Sequence, residues 1–459
     1  MVLTKKQWIL IGSVASVLVV AIVVGVTVGV VVGRKKPEQQ TIEPPTTGQT
    51  TTEQTTTGST TTEQRTTEQT TIEERVHAIL AEHPLIDGHN DWAWAIRRDF
   101  RNNITNVDLY DMTKYHVNNS TPFQTDINRL RKGQVGGQFW SIYTRCTHQG
   151  KDATVSFMEQ IDLMNRLIAK EPDVFQMATT ADEVRQAFQA KKIASLFGIE
   201  SGQAIESTFS ALRLFYQLGV RYMTLTHNCN TPWADQHMVD RPGSTLVKNN
   251  GLTEFGKKII IEMNRLGMLV DLAHVSKKTM LDVLSVSKSP IIFSHSSAYT
   301  LCNQTRNVQD DVLRLVKENR GIVMVAFTPI FITCDSNYLG NISGVAAHIN
   351  HVRNVAGIDS VGLGGDYDGI DETPAGLEDV STYPKLIEYL ISQGNWTDND
   401  IIKLIGGNLL RVMEENEKNA RELQKTMQPL EDMIPIEDLR KYNFTECRYL
   451  DMYPSTTTT

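Results

Sequence analysis

The chain is short of cysteine, of positive charge and of an apolar C-terminal tail, and each shortage excludes something. Five cysteines among 459 residues (Cys146, Cys229, Cys302, Cys334 and Cys447) allow at most two bridges. The leftover thiol is a candidate for an intermolecular bond. The formal net charge of −8 removes any reason to expect nucleic acid as a partner. A glycine-rich stretch, Leu363-Gly364-Gly365-Asp366, is not followed by Lys-Ser/Thr, so it is not read as a phosphate loop. The last residues, Pro454-Ser455-Thr456-Thr457-Thr458-Thr459, lack the hydrophobic stretch that a GPI signal requires. Residues 41–72, a Thr/Glu/Gln tract with a loose Thr-Thr-Glu-Gln repeat, lack the apolar side chains needed to bury a core.

What is present begins with an uncharged run of Val, Ile and Gly at 8–33. A bilayer crossing needs about 20 apolar residues, and the apolar core of a cleaved signal peptide is usually only about 7–15. The run is therefore read as an uncleaved signal anchor after a short cytoplasmic tail at 1–7. A disordered, Thr-rich stalk follows at 34–73, open to O-glycosylation. Lys5 and Lys6 before the span are outnumbered by Arg34, Lys35 and Lys36 after it, which slightly favours the opposite orientation. Sequons at Asn103, Asn118, Asn119, Asn303, Asn341, Asn395 and Asn443 outweigh that difference. They predict a single-pass type II protein of the plasma membrane, with its large domain (74–448) extracellular and a tail at 449–459.

In that domain apolar, β-rich runs alternate with helix-period stretches, the trace of βα units around a parallel sheet. Eight strands are expected, at 85–89, 135–143, 193–200, 220–226, 268–273, 290–295, 321–327 and 361–366. Helical patterns lie at 155–170, 181–190, 208–218, 253–266, 310–319, 383–393 and 397–416. The fold class is α/β. A doubly wound open sheet would leave a similar trace, but a (β/α)8 TIM-type barrel demands functional residues at strand C-terminal ends. They are there: His89 and Asp91 after the first strand, Glu200 after the third, His227 after the fourth, then His274, His295 and Asp366.

The stretch Leu85-Ile86-Asp87-Gly88-His89-Asn90-Asp91 organises this set, because strand residues two apart share a face. Three histidines and two carboxylates exceed what one catalytic zinc with an open position takes. They suit two metals about 3.5–4 Å apart, sharing a carboxylate and a water. His89 and Asp91 would hold one metal, His274 and His295 the other, and Glu200 would bridge. The shared water, deprotonated near neutral pH, would be the nucleophile. Asp366 would handle the proton and could meet a substrate ammonium, His227 would polarise a carbonyl or stabilise an oxyanion, and Arg306 would clamp a carboxylate. Other histidines, such as His83, His116, His148, His237 and His351, are read as surface or structural.

Taken together, Ile86-Asp87-Gly88-His89-Asn90-Asp91, Gly136-Gly137-Gln138-Phe139-Trp140-Ser141, Leu225-Thr226-His227, Cys229-Asn230-Thr231-Pro232-Trp233-Ala234-Asp235, Asp271-Leu272-Ala273-His274-Val275-Ser276, Phe293-Ser294-His295-Ser296-Ser297-Ala298 and Gly364-Gly365-Asp366 resemble the membrane (renal) dipeptidases, amidohydrolase-like metallo-barrels. The resemblance runs from about Glu74 to Arg448. It implies a zinc dipeptidase with two Zn2+ per subunit on His89, Asp91, Glu200, His274 and His295. Substrate contacts would fall on His227, Arg306 and Asp366. It implies bridges Cys146–Cys229 and Cys302–Cys334, with Cys447 joining a disulfide-linked homodimer. Family substrates are dipeptides, including ones with a D or dehydro C-terminal residue, and cysteinyl-glycine conjugates such as leukotriene D4. The chain departs from the family pattern at Ser201, where many members have glycine, and at Trp92-Ala93, where Leu-Pro is common. It also lacks the C-terminal lipid-anchor signal usual in vertebrate members, which leaves anchoring to the N-terminal helix. Two other functions fit less well: another dizinc amidase or lactonase on the same barrel, and a catalytically weak member serving as a surface interaction module. The second should have lost a ligand, and every one is in place.

Overall fold

The strands that carry the barrel are buried on both faces, so their residues alternate between two apolar environments rather than between core and water. Ile86, Phe139, Leu196, Tyr222, Leu269, Ile292 and Met324 form one buried cluster with one another. Their neighbours Leu85, Trp140, Phe197, Met223, Val270, Phe293 and Val325 belong to a second. The structure is a computed structural model that describes residues 71–115, 122–335, 337–445 and 453, all within the unit Glu68–Thr459. The membrane span at 8–33, the stalk up to residue 70, His116, Asn118, Asn119, Cys447 and most of 449–459 lie outside the described residues. Among the described residues no helix is long and apolar enough to cross a membrane.

In chain order the strands are β1 (Leu85–Asn90), β2 (Val135–Tyr143), β3 (Phe175–Met177), β4 (Ile193–Glu200), β5 (Val220–Thr224), β6 (Leu269–Asp271), β7 (Ile292–Phe293), β8 (Ile322–Val325) and β9 (Val361–Leu363). Every ladder is parallel, in the order β2-β1-β9-β8-β7-β6-β5-β4, and β4 pairs back to β2 from Gly137↔Ala194 to Tyr143↔Glu200. That last ladder closes the ring. The eight expected strands are its eight staves, so the barrel is found and the open sheet is not. Strand β3 was not expected. It lies outside the ring against Ile193–Ser195, ahead of the point where β5 takes over at Phe197. Three residues are too few to show a period of two.

β2 and β4 have the expected bounds and β1 runs one residue longer, but β5 to β9 stop short of the expected C-terminal ends, notably β6, β7 and β9. The backbone there leaves the ladder ahead of His274, His295 and Asp366. Helices at Ala153–Lys170, Ala181–Gln189, Phe209–Gln217, Glu254–Leu266, Asp310–Asn319 and Tyr383–Ser392 match expectation. The expected helix at 397–416 is instead Asp398–Ile402, a π-helical turn Lys403–Gly407, and Asn408–Leu423. Gly406 in that turn packs where a Cβ would lie 2.4 Å from the Pro84 carbonyl. The helix Ile72–Glu82 opens with a Thr71/Glu74 capping box, so ordered structure starts just inside the range read as stalk. Both bridges implied by the family resemblance are formed, Cys146–Cys229 and Cys302–Cys334, with Cα separations of 5.9 and 5.3 Å.

Candidate active site

Apart from Arg306, which lies late in the connection after β7, each expected site residue sits at or just past the end of a strand. His89 lies within β1, and Asp91 is not a strand residue but the N-cap of the helix Trp92–Phe100. An N-cap carboxylate ordinarily accepts from the first helical turn. Asp91 makes no such bond and turns to His89 instead, 3.2 Å from Nε2. Glu200 ends β4. His274 and Asp366 occupy left-handed backbone positions (φ 64° and 63°) past β6 and β9, a conformation that re-aims a side chain sharply and costs about 1–3 kcal/mol for a non-glycine residue. Gly364 makes the second turn possible: a Cβ there would lie 1.9 Å from the Ser294 carbonyl.

The side chains converge on Glu200, whose two oxygens face different partners. Oε1 lies 3.1 Å from His274 Nε2 and 3.4 Å from His295 Nε2, while Oε2 lies 3.5 Å from His89 Nε2. The resulting groups, His89/Asp91/Glu200 and Glu200/His274/His295, each bring their ligand atoms within 4.8 Å of one another. A third grouping, His89/His295/Asp366, places Asp366 at the same centre. These are the two sets expected from the sequence, with Glu200 between them.

The histidines are held so that Nε2 alone is free. His89 Nδ1 pairs with Tyr222 Oη at 2.9 Å, His274 Nδ1 with Asn228 Oδ1 at 3.1 Å, and His295 Nδ1 with Ser294 Oγ at 2.8 Å. Ser294 Oγ donates in turn to Asp271 at 2.6 Å. This arrangement of outer partners is typical of metal-ligating imidazoles. His89 Nε2 is buried with no hydrogen-bond partner, and His274 Nε2 faces His295 Nε2 at 3.1 Å. Nitrogen lone pairs crowded against carboxylates fit a cation, so the donor set suits metal.

Electrostatics agree. Burial, reinforced by the nearby Arg306 charge and neighbouring histidines, keeps His274 and His295 well below the ordinary imidazole value, and so neutral and able to ligate. On His89 burial opposes charge, but Tyr222, Glu200 and Asp91 outweigh it and hold it well above that value. The pull that favours a proton there also favours a metal cation. Burial pushes Asp366 up to about 7, with Asp91 and Glu200 adding to the rise and His89 opposing it.

Asp91, Glu200, His274, His295 and Asp366 line a cavity of about 390 Å³ at the strand C-terminal ends. His227 sits against both His274 and Tyr143, at ring-centroid distances of 4.2 and 4.7 Å. Burial lowers it to about 4, which leaves a neutral imidazole at physiological pH. Arg306 is buried, its guanidinium donating to Ser296 Oγ and to the His295 carbonyl at 3.3 and 3.2 Å and lying 5.1 Å from the Phe331 ring centre. Its Nε is buried without a partner, and the side chain lines the cavity. Burial lowers its pKa only to about 10, so it stays charged.

Sequence reasoning missed Tyr222, Asn228 and Ser294 as orienting groups, and Tyr143 and Asp368 as cavity walls. Asn228 and Ser294 adjoin His227 and His295 and were legible as polar neighbours; Tyr222 was not. Among the histidines set aside, His148 and His351 pair with Asp152 and Asp310, each at 2.8 Å. His237 is buried between Thr305 Oγ1 and Asn228 Oδ1, at 2.8 and 3.0 Å. It therefore supports the Asn228 contact to His274.

A closed parallel barrel with this cluster at its catalytic end is a metal-dependent hydrolase. The chain belongs to the membrane dipeptidase family (peptidase family M19), whose pattern matches residues 73–427, and it is a metallopeptidase. It is 42% identical over 371 residues to dipeptidase 3 of Macaca fascicularis, covering 80% of this chain and 71% of that protein. It is 42% identical over 358 residues to dipeptidase 3 of Mus musculus, covering 78% and 69%. Among solved structures it is similar to a metallopeptidase of Rhodobacter sphaeroides liganded with a phosphinate mimic of L-Ala-D-Ala. That similarity has a TM-score of 0.64 at 25% identity and covers 73% of this chain and 99% of that one.

Proposed function

We propose that this chain is a cell-surface dizinc dipeptidase. The observation that carries the reading is the divided Glu200 carboxylate, with one oxygen toward each histidine group, in a cavity of dipeptide size that also holds Arg306. His89, Asp91 and Glu200 would hold one zinc, and Glu200, His274 and His295 the other. Bound there, the metals supply Lewis-acid polarisation and acidify the attacking water.

The protein's own groups do the rest. Arg306, which lines the cavity, receives the C-terminal carboxylate. Neutral His227 donates to the oxygen that gains charge as the peptide carbon becomes tetrahedral. Asp366, held by Thr328 Oγ1 at 2.8 Å, takes the proton from the attacking water and returns it to the leaving amine. It also faces the substrate ammonium, which selects peptides with a free amino end. The phosphinate dipeptide mimic on the Rhodobacter neighbour supports dipeptides with a D C-terminal residue as substrates here. Cysteinyl-glycine conjugates such as leukotriene D4 belong to the same class.

The cellular setting belongs to the same proposal: a type II anchor at 8–33, a Cys447-linked homodimer and glycans on the sequons. Asn103, Asn303, Asn395 and Asn443 are exposed, as attachment requires. The test is hydrolysis of a dipeptide panel by the full-length protein in membranes, before and after chelation. Cleavage lost with chelator and restored by zinc is expected; failure to cleave any dipeptide when zinc-loaded would overturn the reading.

A further inference from the structure

The cavity mouth carries a cation that the proposed mechanism does not use. Arg145 lies two residues past β2, exposed, with its guanidinium carbon 5.7 Å from the centre of the Trp94 ring. Trp94 meets Tyr143 edge-on at 5.1 Å, and Tyr143 meets His227. A continuous wall therefore runs from the catalytic histidines out to Arg145, and Arg145, Trp94 and Tyr143 all line the same cavity. Among the described residues no carboxylate forms an ion pair with Arg145. The other cation on this wall, Arg98, is occupied: Asp99 takes its Nε and one terminal nitrogen, both at 2.7 Å.

Barrel geometry gives that free cation a direction. Arg145 follows β2 and Arg306 follows β7, four strands apart in a ring of eight, so they stand at opposite ends of the mouth. Asp366 follows β9, two strands from each. A dipeptide with its terminal carboxylate on Arg306 and its ammonium toward Asp366 has its N-terminal residue on the side of the mouth away from Arg306, the side that carries Arg145. The flat indole under the guanidinium holds the charge in place, and the half-open mouth leaves it partly hydrated, so its attraction is moderate and sensitive to salt.

We propose that Arg145, seated on Trp94, is a specificity-determining residue that favours dipeptides whose N-terminal residue carries an acidic side chain. The inference rests on the dipeptidase reading and on the orientation set by Arg306. Its test compares kcat/KM of the full-length, zinc-loaded enzyme for Glu-Ala, Gln-Ala and Lys-Ala, because Glu and Gln differ in charge and hardly in shape. Wild type should prefer Glu-Ala to Gln-Ala by about fivefold, the scale of a partly exposed charge pair, and lose much of that preference in high salt. Arg145→Glu should invert the ratio and raise Lys-Ala above Gln-Ala, whereas Arg145→Lys should keep part of the preference.

A wild-type ratio near one, or a ratio unmoved in Arg145→Glu while all three rates fall together, would overturn the assignment and leave the dipeptidase reading standing. Cleavage of none of the three while other dipeptides are hydrolysed would also overturn the assignment; cleavage of no dipeptide at all would overturn the dipeptidase reading itself.

Discussion

At the residue scale the account turns on how burial separates the site's ionisable groups. Glu200 is held well below the ordinary carboxylate range, because the surrounding histidines outweigh its burial. Asp366 is pushed up to about 7. One acid is thus fixed as an anion for metal while the other can exchange a proton near neutrality, the separation that assigns roles in acid–base sites. Asp366 must be ionised to accept a proton, so kcat/KM should fall as pH drops through its pKa. Cations bound beside it draw that value down, which places the acidic limb below 7. Asp366→Asn should cost about 10²–10⁴-fold in kcat, abolish the acidic limb and leave zinc content unchanged. Near wild-type turnover would show that the base is another group, and loss of zinc would make Asp366 a ligand. The residues that converge on Glu200 were legible in the sequence, because each follows an apolar run. Their orienting partners were less so: Tyr222 meets His89 across 133 residues of chain, and no local pattern encodes that contact.

At the scale of elements, the βα turns do the positioning. Asp87 shows how two are tied together, accepting from Gly365 N at 2.9 Å and Tyr383 Oη at 2.5 Å and so joining the ends of β1 and β9. Gly369 serves the same junction, since a Cβ there would lie 2.3 Å from Asp91 Oδ2 and 2.6 Å from Asp366 Oδ1. The turn after β4 carries Ser201, and the structure gives that residue a cost. Ser201 has φ 125° and ψ 130°, backbone that favours glycine and costs other residues about 1–3 kcal/mol. Its Oγ accepts from Gln203 N at 3.3 Å, a partial offset. Ser201→Gly should therefore stabilise the protein by about 1 kcal/mol, seen as a higher midpoint in denaturant unfolding with unchanged slope. A lowered midpoint would mean that the hydroxyl contact outweighs the strain. The sequence showed an unusual residue beside a ligand; only the backbone angle shows what it does.

At the scale of the whole molecule, closure is what brings six strand ends to one point. The register of β2 against β4, where Tyr143 lies opposite Glu200, sets the Glu200 carboxylate beside the cavity wall. The Cys146–Cys229 and Cys302–Cys334 bridges tie the loops that carry Arg145, His227, Arg306 and Phe331. The eight staves and their ring order were legible from period and spacing, but the short β3 outside the ring was not. The strand ends were not, because β6, β7 and β9 stop early, ahead of His274, His295 and Asp366. The central claim is that one carboxylate, Glu200, serves two metals. Zinc content measured together with dipeptidase activity, in wild type and in Glu200→Gln, tests it most directly. Two zinc ions per active chain, with occupancy of both sites falling together in the variant, is the expected result. Full activity with a single tightly held metal, or a variant that keeps one site intact, would contradict it.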